Sequence, residues 1–247
     1  MRNLAWLGIT IITIACFTAC TTTDTYAPVM DATPIETLPK SGVYRVATHD
    51  TLYSIAWRYG LDYQDLAQRN NITSPYHIET GQVIYLAKHA PNKIMPPTSE
   101  STQATRTQER TQRAPSSQPI EKEPSANVSQ WRRPATGPII GAYSAQNKGL
   151  NFGGHLGDPI YATAAGKVVY SGDGLRGYGN LIIIKHNSTF LTAYAHNRKV
   201  FVKEGDWVKA GQEIAEMGNT GTRRVMLHFE IRRSGKPVNP LNYLTNR

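Results

Sequence analysis

The sequence has almost no cysteine: two residues in 247, Cys16 and Cys20, both within the first twenty positions. Everything after Cys20 is therefore without disulfides and without thiolate metal ligands, so a metal site there has to be built from histidine and carboxylates. Long hydrophobic runs are scarce as well. The apolar run over residues 4–17 is interrupted by Gly8, Thr10 and Thr13. It falls short of the roughly 20 residues that cross a bilayer core, and this pattern excludes a multi-span membrane protein. Acidic residues are the minority charge, 18 Asp and Glu against 27 Lys and Arg, for a net charge of +9. That balance suits anionic partners such as nucleic acid, phospholipid or the acidic stem peptides and polymers of a cell wall.

Arg2 ahead of the apolar run, the short apolar core and the small residues after it describe a secretory signal peptide. Phe17-Thr18-Ala19-Cys20 resembles a bacterial lipobox, with Phe17 where Leu is usual. The resemblance implies a lipoprotein signal peptide over residues 1–19 and lipidation at Cys20. Thr21 stands where inner-membrane lipoproteins often carry Asp, which favours the outer membrane. An ordinary signal peptide with an incidental cysteine is the alternative. Several acyl chains anchor firmly, because each buried methylene contributes about 0.8 kcal/mol.

Composition divides the remainder into tethers and folded units. Residues 20–41 are rich in Thr and Pro and read as a flexible tether, and residues 42–88 carry a compact pattern. Residues 89–134 are Thr, Gln, Ser, Pro, Arg and Glu with few large apolar side chains, a composition that buries too little surface to fold. Arg106, Arg110 and Arg113 lie there without aromatics between them. Nucleic-acid grooves interleave stacking platforms with positive charge; with secretion, this sets nucleic acid aside as a partner. Residues 135–247 form the last unit.

In the first unit, Val43 to Val46 reads as a strand and Thr51 as the N-cap of a helix ended by Gly60. A second helix runs from Tyr63 to Arg69, and a closing strand follows from Gln82 to Leu86. This β-α-α-β unit is small enough for its core to be marginal. Thr48-His49-Asp50-Thr51-Leu52, Ile55-Ala56, Leu66, Asn70-Asn71-Ile72, Pro75, Ile78 and Gly81-Gln82 resemble the LysM domain, with His49 in place of the customary Gly. The resemblance implies binding of N-acetylglucosamine-containing peptidoglycan strands between two loops, which here hold Asp50, Thr51, Leu52, Ser74, Pro75 and Tyr76. On their residue types alone, Thr51 is a helix cap and Pro75 a turn former.

The C-terminal unit shows short β-rich runs between Gly turns, at residues 160–162, 166–170, 181–186, 190–196 and 227–232, the pattern of a mainly-β sheet domain. The Gly-rich stretch at 172–179 lacks a following Gly-Lys-Ser/Thr and a helix, so it is a loop and not a phosphate cradle. Asn147-Lys148-Gly149-Leu150-Asn151, Gly157-Asp158-Pro159-Ile160, Ala165 to Val169, Gly177-Tyr178-Gly179-Asn180, Tyr194-Ala195-His196, Val208 to Gln212 and Leu227 to Ile231 resemble the LytM/lysostaphin-type zinc endopeptidases. Catalytic members hold zinc through a His-x-x-x-Asp pair and the second His of a His-x-His strand. In this sequence those positions are Asn147, Asn151 and His228, and Met226 replaces the first His of the strand.

Neutral amides are poor zinc ligands beside imidazole or carboxylate. Of the assisting histidines only His196 remains, and a general base without metal-bound water has nothing to activate. His155 and Asp158 offer a rescue with His-x-x-Asp spacing, but a slipped register would also turn the side chains to the other face. The expectation is a degenerate domain with no catalytic residues, no metal and no cofactor.

Lipobox, LysM unit, disordered linker and degenerate LytM unit in this order resemble the NlpD-type lipoproteins. That resemblance implies an outer-membrane, periplasm-facing activator of N-acetylmuramoyl-L-alanine amidases acting at the septum during daughter-cell separation. The partner groove expected from it is lined by Asn147, Asn151, Tyr194, His196, Met226 and His228, with Arg223 and Arg224 at the rim. Two rivals stand beside it: an active zinc endopeptidase cutting cross-bridges, and a structural peptidoglycan anchor.

Overall fold

The computed structural model describes residues 35–87 and 131–245. The signal peptide, Cys20 and most of the two tethers expected from the sequence lie outside the described residues. No helix among the described residues is long and apolar enough to cross a membrane.

The N-terminal unit follows the sequence reading closely. Strand β1 (Val43–Arg45) is followed by α1 (Leu52–Tyr59), α2 (Tyr63–Arg69) and β2 (Val83–Tyr85), and β1 pairs antiparallel with β2. Thr51 caps α1 by accepting the Ser54 amide N–H, while the Ser54 hydroxyl accepts the Thr51 amide N–H. This reciprocal box satisfies two donors that the first turn leaves open. Gly60 closes the helix at φ +61°, in the left-handed region where glycine meets no Cβ penalty. His49 occupies the same region at φ +66°, so the turn that glycine would make freely is retained with a larger side chain.

The C-terminal domain contains strands β3 (Ile139–Gly141), β4 (Leu150–Gly153), β5 (Pro159–Tyr161), β6 (Gly166–Gly172), β7 (Leu181–Lys185), β8 (Phe190–Ala195), β9 (Asn197–Val200), β10 (Trp207–Val208), β11 (Glu213–Met217), β12 (Met226–Arg233) and β13 (Lys236–Val238). Its main sheet has the order β10-β6-β7-β8-β12-β4-β3, with β13 also paired to β12, and β5-β11-β9 form a second sheet. One face of the main sheet, with Ile182, Ile184, Leu227, Phe229 and Ile231, packs with Ile160, Ile214 and Met217 of the second sheet. The domain begins earlier than expected. Trp131 is buried among His186, Phe190 and Tyr243, so the expected linker boundary at 134 cut off a core residue whose neighbours in sequence are polar.

The other face of the main sheet is covered by the N-terminal unit. Val169, Leu181, Ile183, Leu191 and Ala193 share one apolar cluster with Leu52, Ile55, Trp57 and Leu66. Burial on both faces explains why β7 reads Leu-Ile-Ile-Ile-Lys without alternation, as strands covered on both sides do. Polar contacts also cross the junction. The Arg232 guanidinium lies 3.6 Å above the Trp57 ring and donates to the Trp57 carbonyl at 2.7 Å. The Thr51 hydroxyl donates to the Val169 carbonyl, Arg58 to the Gly174 carbonyl and Lys236 to the Gly60 carbonyl. The two units, expected to be joined by a disordered linker, are thus packed together.

Candidate functional site

Successive side chains on a strand alternate faces, so Met226, His228, Glu230 and Arg232 of β12 share the face away from the Leu227–Phe229–Ile231 core. The register sets His228 opposite Asn151 of β4 and Ala195 of β8. His228 Nδ1 lies 2.7 Å from Asn151 Oδ1, and its Nε2 lies 3.2 Å from Glu230 Oε1. Both ring nitrogens are therefore engaged by protein. The His196 ring, 6.2 Å from that of His228, has Nδ1 2.8 Å from the Thr220 carbonyl.

The first expected ligand position is committed elsewhere. Asn147 donates its side-chain amide to the Ala142 and Gly149 carbonyls, tying the loop between β3 and β4. Its neighbour Lys148 is buried, which lowers the ammonium pKa, with the Glu230 carboxylate acting in the opposite direction. The carboxylate of Glu230 also accepts from Tyr178 Oη at 2.7 Å and from Arg232 Nε at 3.0 Å. Burial pushes the Glu230 pKa up, but Arg232, His228 and Tyr178 outweigh it and hold the carboxyl at about 2.

These residues do not fit a zinc ion. A structural or catalytic zinc needs at least three good protein donors; here two are neutral amides and the third has both nitrogens occupied. Among the described residues, no three His, Cys, Asp or Glu side chains gather as a metal site would require. His155 and Asp158 pair with each other in their own turn at 3.6 Å, with the imidazole almost fully exposed, and bring no ligand to His228.

Several expectations are corrected. Tyr194 does not line a groove: as the neighbour of Ala195 it turns to the opposite face, stacks on Phe229 and hydrogen-bonds Thr163 and Thr192 in the core. Asn151 is 4% exposed and His196, Met226 and His228 are each 1% exposed, so they form a closed floor and not an open groove. Tyr178, from the loop between β6 and β7, stands 6.1 Å from the His228 ring and contributes to that closure. Asn147 and Arg224 remain partly accessible and Arg223 is exposed. Glu230, Arg232 and Tyr178 were not anticipated, although polar residues at alternate positions of a strand with an apolar opposite face were there to be read.

In the N-terminal unit, Asp50 is structural. Its carboxylate accepts Tyr44 Oη at 2.6 Å and the Ala47 amide at 2.9 Å; burial, then this hydrogen bond, pushes the Tyr44 pKa up to about 12. Leu52 is buried, Thr51 faces Val169, and Ser74 and Pro75 are exposed. Tyr76 is half-buried against Tyr53 and Tyr63.

Residues 44–87 match the LysM domain and residues 145–240 match peptidase family M23. The chain is 46% identical over 236 residues to the lipoprotein NlpD/LppB homolog of Pseudomonas aeruginosa, covering 84% of this chain and 78% of that one. This chain belongs to the NlpD/LppB lipoprotein family. Within that family it is 40% identical over 257 residues to the murein hydrolase activator NlpD of Escherichia coli, covering 83% of this chain and 68% of the relative. The outer membrane antigenic lipoprotein B of Histophilus somni is 43% identical over 222 residues, covering 81% of this chain and 66% of that protein. NlpD/LppB membership agrees with the paired LysM and M23-type units expected from the sequence.

Proposed function

We propose that this chain is a non-catalytic lipoprotein that binds peptidoglycan strands and activates a periplasmic N-acetylmuramoyl-L-alanine amidase, splitting septal wall as daughter cells separate. Lipid on Cys20 holds it to the outer membrane. The observation that carries the non-catalytic reading is the 2.7 Å contact between His228 Nδ1 and Asn151 Oδ1. It closes the space a catalytic metal would need and fixes the imidazole within protein hydrogen bonds.

Relatives named murein hydrolase activators support the positive half of the reading. The floor is closed, so the amidase contact falls on its accessible rim, at Asn147, Arg223 and Arg224. Activation is a population shift, in which the rim binds the open amidase better than the closed one.

Dye release from labelled sacculi tests the proposal, using this chain, a periplasmic amidase, and the two together. Release only by the mixture is expected. Zinc-dependent release by the chain alone, lost in His228→Ala, overturns it in favour of an endopeptidase.

A further inference from the structure

The N-terminal unit rests on the C-terminal sheet through part of the surface that the glycan reading needs, at Thr51 and Tyr76, while Ser74 and Pro75 stay exposed. The Thr51 hydroxyl is committed to the Val169 carbonyl. Tyr53, Tyr63 and Tyr76 form an aromatic cluster with ring centroids 4.6–6.0 Å apart. Lys185 of the C-terminal domain lies over it, with Nζ 5.5 Å from the Tyr63 ring and 5.8 Å from that of Tyr76. Aromatic faces with a hydroxyl beside them are the chemistry that receives a pyranose ring. Here a cation from the neighbouring domain occupies that position.

The junction also has the marks of a contact that can open. Trp57 Nε1 is buried with no hydrogen-bond acceptor among the described residues, whereas Arg58 Nε has the Glu36 carboxylate 3.9 Å away. Trp57 and Arg58 line a cavity at the junction of about 10 Å³, together with Ile35, Glu36, Leu175, Arg176 and Tyr178, which is at the lower limit of room for one water. An unmet buried donor costs about 1–3 kcal/mol, a penalty that separation removes. The segment between the units, residues 88–130, is long enough by contour to let them part while keeping them at high effective concentration.

We infer that docking of the LysM unit on the M23-type sheet and binding of a β-1,4-linked N-acetylhexosamine strand are mutually exclusive, so that glycan releases the surface formed by Lys185 and Arg232 of the sheet and Tyr178 of the β6–β7 loop. This rests on the glycan-binding part of the proposed function. The apparent affinity for glycan is then lowered by the fraction of chains that are docked.

A wedge separates the two states. Gly235, in the turn between β12 and β13, sits at φ +73°, and a Cβ there would meet the Leu61 carbonyl oxygen at 2.3 Å. Asparagine tolerates that backbone region, so Gly235→Asn keeps the turn and pushes the LysM unit away. Lys236→Ala, which removes the bond to the Gly60 carbonyl, is a milder second variant at the surface.

The mature full-length chain and both variants are titrated with a soluble N-acetylglucosamine hexamer by calorimetry, with small-angle X-ray scattering on the same samples. The wild-type chain is expected to expand on saturation. Gly235→Asn is expected to be expanded without sugar and to bind about tenfold more tightly, with Lys236→Ala between. Binding to wild type without expansion, or equal affinities in an expanded wedge variant and wild type, overturns the inference while leaving glycan binding intact. Variants that stay compact overturn the docking account. An expanded wedge variant that binds no hexamer at millimolar concentration overturns the glycan reading and the inference with it.

Discussion

His228 and Asn151 face each other across β12 and β4 and are joined by a 2.7 Å hydrogen bond between Nδ1 and Oδ1. Two positions that hold a metal in catalytic members of the fold are here bonded directly to one another. In this chain these positions form a packed floor in which His228 is held from one side by the asparagine and from the other by Glu230.

Restoring the ligands has to overcome this arrangement at both asparagines. Asn147→His combined with Asn151→Asp supplies three good donors together with His228, and is expected to retain about one zinc per chain after dialysis. Each single variant is expected to retain well under half. Elemental analysis of dialysed protein checks this, and stoichiometric zinc in the wild-type chain would contradict the reading of the floor.

Arg232 is expected to dominate the stability of the junction. Arg232→Ala leaves the buried Glu230 carboxylate without its strongest partner and uncovers the Trp57 ring. A loss of about 3–5 kcal/mol follows from breaking one side of a buried pair. Urea unfolding measures it, and Glu230→Gln in the same background should recover part of the loss.

Stability should also fall in acid in two stages. Burial lowers the His186 pKa from 6.5 to about 4, so the unfolded chain takes up a proton first and stability declines as pH falls from 6.5 to 4. The contribution is about 3 kcal/mol at 1.36 kcal/mol per pKa unit. Glu230, held at about 2 against 4.5, contributes stability above pH 4.5 that is lost as pH falls towards 2. Denaturation at stepped pH should show a shallower slope between 6.5 and 4 in His186→Gln, with the lower stage unchanged.

Charge reversal at the rim should separate partner contact from folding. Arg223→Glu with Arg224→Glu is expected to reduce amidase stimulation tenfold or more in the dye-release assay, with the midpoint of thermal unfolding shifted by only a few degrees. Unaltered stimulation would move the contact away from this rim.

The elements with strong local chemistry were legible in the sequence. The helices of the LysM unit follow from their caps, and β6, β7, β8 and β12 from β-rich runs between turns. Strands such as β3, β10, β11 and β13 were not, because their pairing partners and not a local apolar run define them; β1, β2 and β5 are as short as most of these but carry such a run. Asn147, Asn151, Met226 and His228 were found by motif, but that they form a closed floor depends on Tyr178 arriving from a loop far away in sequence. Tyr194 was misplaced because a motif gives adjacency and not the face, and strand alternation decides the face. The docking of the two units could not be read at all: Arg232 and Trp57 meet across 175 positions, and nothing local to either announces the other.

That long-range meeting gives β12 a second role. At about 3.3 Å of rise per residue, His228 and Arg232 stand roughly 13 Å apart on one pleat, with Glu230 hydrogen-bonded to both. If the LysM unit lifts away, Arg232 becomes hydrated and its hold on Glu230 weakens, loosening the carboxylate beside His228. Wall contact at one end of the strand would then be felt at the position that holds metal in catalytic members of the fold.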